Sequence, residues 1–288
     1  MALTLGALLT HWNFEPSVIT GLLLASAGFA WLQRRPELAV SRGRRVSFAI
    51  AIALLALALL SPLDEMSDKY LLVAHMIQHL LIVLLVAPLL VRALPLPWAA
   101  RLSINPVLAF AIFNLVFALS HVPTWYQATL VNEPLHVLEH VLYLGTGMVN
   151  WLPILNPARA RRMSEPLQML YLFLQTLPMF LIGALLSLSD SAVYPLYLRA
   201  PRVAGISPIE DQSLAGLLMW IGGSFFYLGA LTIVFFKWAN REMDQDIPLP
   251  PRWERLGEGS PDLIEDGGGV RENHIIGEPN YPGHALVK

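Results

Sequence analysis

The chain has 288 residues, of which 55% are hydrophobic and 14% are charged. Soluble domains carry about 25% charged residues, so this composition excludes an ordinary soluble globular protein. The sequence contains no cysteine, which excludes disulfides, thiolate nucleophiles and metal sites built on cysteine sulfur. The formal net charge of −2 gives no basic surface of the kind that binds nucleic acid, so we expect no nucleic-acid partner.

Charge density divides the chain near residue 242. Charged residues make up 11% of residues 1–242 but 28% of residues 243–288. The second part also holds several prolines and a run of three glycines, with little periodic apolar pattern. We therefore predict a transmembrane domain over 1–242 and a polar, disordered cytoplasmic tail over 243–288. His274 and His284 belong to this tail, and we expect no ligand role for them.

Seven apolar segments within residues 1–242 approach the roughly 20 residues with which a helix crosses a bilayer. Lipid offers no hydrogen-bond partner to the backbone, so the pattern predicts an all-α integral membrane bundle of seven transmembrane helices. Pro88, Pro153 and Pro178 lie inside or near the ends of these segments and predict kinks rather than breaks. The segments are Ser17–Gln33, Val46–Leu60, Leu71–Val91, Val107–Val122, Leu135–Leu155, Leu167–Leu188 and Gln212–Phe236.

Basic residues outside the tail predict the orientation of this bundle. Twelve of them fall in connections on one side of the predicted membrane and three on the other. Basic residues in short connections favour the cytoplasmic side, so we expect the N-terminus outside and the C-terminus in the cytoplasm. Met1–Pro16 contains no lysine or arginine, unlike a secretory signal peptide, so we expect the first helix to be retained.

Five histidines fall at one predicted membrane face. His75 and His79 lie in the first two turns of the third segment, and His136 and His140 lie in the same turns of the fifth. The fourth segment runs in the opposite direction, so His121 near its end returns to the same outer level. Spacing of four residues puts each pair on one helix face. Ionisable groups within spans usually mark functional sites, and imidazole is the commonest metal ligand. These five residues therefore predict a metal or cofactor site, with a cluster of structural hydrogen bonds as the alternative.

Without thiolate, the ligands available to this site are imidazole, carboxylate and thioether. Imidazole suits copper, zinc, iron and nickel alike, and nearby methionines could help to select Cu(I), although packing is the commoner role of methionine. His11 lies ahead of the first segment and is expected to be a loop residue without a ligand role. The accessory ligand candidates are Glu139, Asp211, Met76 and Met219. The acidic residues ahead of the third segment are expected to form a solvated turn, and they are Asp64, Glu65 and Asp68.

Three separated strings resemble the CtaG-type cytochrome c oxidase assembly factors, a family of polytopic membrane proteins. They are HMIQHLLIVLLVAPLL from His75, HVPTWYQATLVNEPLHVLEHVLYLGTGMVNWLP from His121 to Pro153, and DQSLAGLLMW from Asp211 to Trp220. The resemblance implies a protein of the bacterial inner membrane that binds copper on the outer face and catalyses no reaction itself. It also implies delivery of copper to a subunit of a haem–copper oxidase or to another copper carrier. The ligands it implies are the five histidines, with Asp211 as an accessory acid; a homo-oligomer is compatible with the sequence.

Other functions fit parts of the same pattern. His136 to His140 spells HxxEH, in which two histidines of a zinc hydrolase bind the metal and the glutamate acts as general base. A haem-binding electron carrier would use one histidine from each of two helices as axial ligands, which leaves the other member of each pair unused. The histidine boxes of membrane di-iron enzymes fit poorly, because those enzymes need about eight histidines on the cytoplasmic side.

Overall fold

The computed structural model describes residue 10, residues 12–203 and residues 205–246. These residues are helical and contain no strand, which confirms the all-α prediction. The chain divides into two compact units after Glu242. His11, His274, His284 and nearly all of the tail lie outside the described residues, so the expectations for them stay predictions.

We number eleven helices in the described ranges. The first five are α1 (Pro16–Leu32), α2 (Arg42–Leu60), α3 (Pro62–Lys69), α4 (Leu72–Ala93) and α5 (Leu96–Arg101). The next four are α6 (Pro106–Ser120), α7 (Pro123–Val131), α8 (Glu133–Leu155) and α9 (Glu165–Ser187). The last two are α10 (Pro195–Arg199) and α11, which runs through Pro208–Leu217, Leu218–Gly223 and Ser224–Asp246. The seven predicted segments correspond to α1, α2, α4, α6, α8, α9 and α11.

Four of these helices, α2, α4, α9 and α11, are long and apolar enough to cross a membrane. The pair α6 and α7, bent by 75° at its junction, gives a fifth candidate if it is one span. Helix α1 is shorter, with 17 residues, and α8 has 23 residues but carries histidines, glutamates and an asparagine that lower its hydropathy. The described helices therefore indicate a membrane protein, whereas the count of seven spans and their orientation stay predictions.

A stretch of π-helix in α4 connects this helix to α8. In a π-helix each N–H donates to the carbonyl five residues earlier, and Pro88, just after the π segment Leu81–Val86, has no N–H. The carbonyl of Val83 therefore lacks this partner. The indole N–H of Trp151 on α8 donates to it at 2.9 Å. Helices α8 and α9 continue through their prolines, as predicted.

Helices α9 and α11 approach each other closely through two glycines. A methyl group added at Gly216 would overlap the carbonyl oxygen of Gly183 and the side chain of Ser187. The hydroxyl of Ser187 donates to the carbonyl of Ser213 at 3.2 Å, and the hydroxyl of Ser213 donates back to the carbonyl of Ser187 at 3.3 Å. Small residues allow membrane helices to pack at this distance. The first half of α11 is thereby fixed against α9.

Candidate metal centre

Four histidine rings face one another between α4 and α8. The ring centroids of His75 and His79 lie 4.2 Å apart on α4, and those of His136 and His140 lie 4.5 Å apart on α8. Across the two helices, His75 lies 6.1 Å from His136, and His79 lies 5.3 Å from His140. The spacing of four residues on each helix thus brings the two pairs together side by side. His75 is fully buried, while His136 and His140 are half-buried.

Many polar atoms of this cluster have no partner in the described part of the chain. Both ring nitrogens of His75 and of His79 are buried without a hydrogen bond, as are both carboxylate oxygens of Glu139. The Nε2 atoms of His136 and His140 are buried in the same way. An unsatisfied buried polar group costs about 1–3 kcal/mol, so partners for these atoms would stabilise the folded chain. A bound cation would provide a partner for several of these nitrogen and oxygen atoms at once.

Two overlapping sets of three residues place their ligand atoms within 4.8 Å of one another. One set is Asp68, His75 and His136, and the other is His75, His79 and Glu139. Ligand atoms at about 2.0–2.2 Å from one metal ion lie within roughly 4.4 Å of each other, so either set approaches the size of a coordination shell. His75 belongs to both sets.

Aromatic rings enclose the cluster on the protein side. The ring of Tyr126 on α7 lies 5.0 Å from that of His75, and the ring of Tyr143 on α8 lies 4.2 Å from that of His79. Both tyrosines are buried. The hydroxyl of Tyr126 shares a hydrogen bond of 2.8 Å with that of Tyr197. These contacts fix the two α4 histidines in a largely water-free environment.

A groove of about 550 Å³ leads to the other side of the cluster. Its apolar walls come mainly from α1, α2 and α8, while Asp64, Asp68, His136 and His140 form a polar part of its lining. His136 and Asp68 thus belong both to a candidate ligand set and to the lining of this groove. The Nε2 atom of His136 lies 3.5 Å from Oδ1 of Asp68, beyond a good hydrogen bond.

His121 lies apart from the four facing rings. Its Nδ1 pairs with the carbonyl of Phe117 at 2.6 Å, and its Nε2 has no hydrogen-bond partner among the described residues. His121 and His79 line a small cavity of about 10 Å³, which is room for about one water molecule or ion. The methionines that line the same cavity are Met76, Met179 and Met219. The two methionines predicted as accessory residues thus lie beside this cavity, whereas no sequence pattern indicated Met179.

A family model described as cytochrome c oxidase caa3 assembly factor (Caa3_CtaG) matches residues 26–241. The chain belongs to this family. The matched range contains the five predicted histidines, Asp68 and Glu139. No curated protein and no solved structure matches the chain. The family resemblance inferred from the three sequence strings is thereby confirmed.

In this member of the caa3 assembly factor family, Asp211 occupies a different environment from the other accessory candidates. Its Oδ2 accepts the backbone N–H of Leu72 at 2.7 Å, and its Oδ1 accepts that of Val73 at 3.0 Å. The first N–H groups of a helix have no partner within it, so Asp211 caps α4 from α11. Both oxygens are engaged, which favours a role in positioning the α4 histidines over metal ligation.

The acidic residues ahead of α4 form a helix, and the expectation of a solvated turn is wrong. Asp64 on α3 is buried and accepts hydrogen bonds from Asn13 at 2.9 Å and from Gln78 at 2.8 Å. Burial and the neighbouring charge of Asp68 raise the pKa of Asp64 to about 6. Burial also raises the pKa of Asp68 to about 6. Asp68 joins the candidate ligands through the set that it forms with His75 and His136.

Glu139, the acid of the HxxEH string, lies beside the histidines of α4. Its carboxylate belongs to the set formed with His75 and His79 on the neighbouring helix. In a zinc hydrolase of this type, His136 and His140 would bind the metal while the glutamate faced the bound water. Proximity to the α4 pair instead favours Glu139 as a ligand or as a compensating negative charge.

Proposed function

We propose that this assembly factor binds copper between α4 and α8 and passes it to a subunit of a haem–copper oxidase, without turning over a substrate of its own. The observation that carries the proposal is the set of buried nitrogen and oxygen atoms that lack hydrogen-bond partners. A cation that is taken up and released gives these atoms a partner during part of the cycle. The ligands we propose are His75, His79, His136 and His140, together with Asp68 and Glu139.

The chemistry of the donors supports copper over other divalent ions. A site of imidazole and carboxylate binds first-row divalent ions in an order that peaks at Cu²⁺, above Zn²⁺. Thioethers prefer Cu(I), and three methionines line the cavity that His79 shares with His121. The site therefore offers positions suited to both oxidation states of copper. Family membership supplies the link to cytochrome c oxidase.

The location of the ligands suits transfer rather than permanent storage. His136 and Asp68 border the groove, so they would be the first contacts of an incoming ion and the last of a departing one. His75 and Glu139 are buried and would hold the ion away from water. On the predicted topology this groove opens at the outer face, from which we expect delivery to the oxidase.

Metal analysis of the purified full chain in detergent tests this function. The test variant replaces His75, His79, His136 and His140 with alanine, and the matched control replaces the tail residues His274 and His284 with alanine. We expect copper affinity to fall at least tenfold in the test variant and to be unchanged in the control. Equal copper content in all three proteins would overturn the proposal.

A second variant and two further measurements keep this test decisive. If the quadruple variant does not fold, the half-buried pair alone is changed, His136→Asn with His140→Asn, and the same loss is expected. Copper is then challenged with excess zinc; retention of zinc over copper would contradict the choice of metal. An absorption spectrum with a haem Soret band in the protein as isolated would instead support a haem carrier.

A further inference from the structure

A second groove lies at the other end of α8 from the histidines. It has a volume of about 690 Å³ and is enclosed by α4, α8, α9, α11 and the connection between α8 and α9. Trp151, which lines it, follows His136 by fifteen residues, or about 22 Å along the helix. The groove therefore has no part in the proposed metal site.

The polar part of this groove carries an excess of positive charge. Arg159, Arg162, Lys237 and Arg241 line it, and among the described residues Glu165 is the only acidic one in its lining. Both oxygens of Glu165 accept hydrogen bonds from the guanidinium of Arg241, at 2.9 and 2.7 Å. Arg241 is thus neutralised within the chain. Arg159 and Lys237 have no carboxylate partner among the described residues that line the groove, and Arg162 has only a weaker attraction to the already engaged Glu165.

The positions of these cations favour an anion between them. The Nε of Arg162 donates to the carbonyl of Asn156 at 2.6 Å, which fixes the guanidinium at the groove. Burial and the like charges of Arg159 and Arg44 lower the pKa of Arg162. An anion that contacts Arg162 would relieve this repulsion, since opposite charge favours the protonated guanidinium.

The remaining walls of the groove are apolar. They include Trp151, Leu155, Leu172, Phe226 and Ile233. A ligand that matches both parts has an anionic head and a hydrocarbon chain, and a volume of about 300–1,000 Å³ is usual for a binding pocket. Basic pockets between membrane helices bind the headgroups of anionic lipids.

We propose that this groove binds one anionic phospholipid. Its phosphate lies against Arg159, Arg162 and Lys237, and the first part of its acyl chains lies along the apolar walls from α8 and α11. A zwitterionic lipid lacks the net charge, and a free phosphate ester lacks the chains, so neither matches the whole groove.

Native mass spectrometry of the full chain, released from detergent, tests this proposal with three probes: dioleoyl phosphatidylglycerol, dioleoyl phosphatidylcholine and glycerol 3-phosphate. The test variant is Arg159→Gln with Arg162→Gln. The matched control is Arg34→Gln with Arg92→Gln, which removes the same charge from exposed positions outside the groove. We expect wild type and control to retain phosphatidylglycerol and the test variant to bind it at least tenfold more weakly.

Several outcomes would overturn the proposal. Equal loss of phosphatidylglycerol in the test and control variants would show attraction by net charge without a site. Retention of phosphatidylcholine at the same level would show that charge does not select the lipid. Displacement of phosphatidylglycerol by glycerol 3-phosphate would show a site for the free ester. Arg162 also holds the chain at Asn156, so its replacement can disturb the local fold. Lys237→Gln therefore serves as a second variant, for which we expect a smaller loss of phosphatidylglycerol binding. Unchanged binding in both variants would contradict the proposal that the lipid binds in this groove.

Discussion

Asp64 is a buried carboxyl group whose hydrogen bonds join three parts of the chain. It lies on α3, accepts from Asn13 ahead of α1, and accepts from Gln78 on α4. Gln78 also donates to the carbonyl of Ala58 on α2 at 2.9 Å. Since Gln78 lies between His75 and His79 in sequence, this network fixes the turn of α4 that carries both rings.

The raised pKa of Asp64 predicts how the metal-free protein responds to pH. Its pKa rises from 3.8 to about 6 because of burial and Asp68, so the folded chain holds a proton that the unfolded chain releases between these values. The contribution of Asp64 to stability should therefore fall as pH rises from about 4 to above 6. We expect Asp64→Asn to reduce this fall by up to about 3 kcal/mol, since one pKa unit corresponds to about 1.4 kcal/mol.

Thermal unfolding in detergent between pH 4.5 and 7.5 measures this slope. Asp190→Asn, which changes an exposed carboxyl in a loop, is the control and should keep the wild-type slope. Asp68 has a raised pKa as well and should leave a residual slope in the Asp64 variant. Identical slopes in wild type and Asp64→Asn would contradict the prediction.

Helix α11 acts on the site at two points. Asp211 in its first turn caps α4, and Gly216, five residues later, packs against α9. The close packing therefore sets the position of the cap, and the cap sets the start of the helix with His75. A change at the α9–α11 contact should reach the metal site through this connection.

Gly216→Ala tests the close packing. The added methyl group overlaps backbone of α9, which cannot move aside as a flexible side chain can, so we expect a loss of stability of about 1–3 kcal/mol. Gly229→Ala on the same helix is the control, because a methyl group there meets nothing within 4 Å. Alanine favours helix over glycine by about 1 kcal/mol, so the control should be as stable as wild type or more so. Unfolding in detergent compares the two, and equal midpoints would refute the close contact.

The sequence predicted the long helices better than the short ones. Length and apolar composition located α4 and α9, because a buried or lipid-facing helix is apolar along its whole length. Helices α3 and α7 were missed because each is a short run between apolar segments, although each begins with a proline, as helices often do. Helix α7 bends away from α6 by 75° and brings Tyr126 to His75, which periodicity could not indicate.

The same limit applies to the candidate site. Spacing of four residues correctly placed each histidine pair on one face, because this follows from helix geometry alone. Asp68 was missed because its approach to His136 depends on how α3 packs against α8. The sequence pattern of a carboxylate at the start of a helix is the same whether the residue binds a metal or caps another helix. The role of Asp211 was therefore evident only from the structure.

At the scale of the whole molecule, the two ends of the bundle differ in chemistry. One end carries histidines and carboxylates, and the other carries arginines and one lysine around an apolar groove. The basic end is the one that the sequence assigns to the cytoplasm, so the predicted orientation has the histidines facing outward. The difference between the two ends also separates the proposed metal site from the proposed lipid site.

The absence of native cysteine allows this orientation to be measured with single labels. Ser103, before α6, and Ser191, after α9, are both exposed, and each is replaced by cysteine in a separate variant. If α6, α8 and α9 each cross, the two labels lie on opposite faces. In right-side-out vesicles we expect a membrane-impermeant maleimide to react with position 191 and to reach position 103 only after permeabilisation. Labelling of both from one side would show that α6, α8 and α9 do not all cross, and the reverse pattern would overturn the orientation.

The membership of His75 in both sets of candidate ligands has a consequence for how copper would travel. Two cations that shared one imidazole would repel each other strongly at short range, so the chain should carry a single ion at a time. That ion would exchange Asp68 and His136 for His79 and Glu139 while His75 stayed bound. Such stepwise ligand substitution would avoid a free, hydrated ion between the two positions. The direction of transfer would then depend on which set the receiving protein competes with.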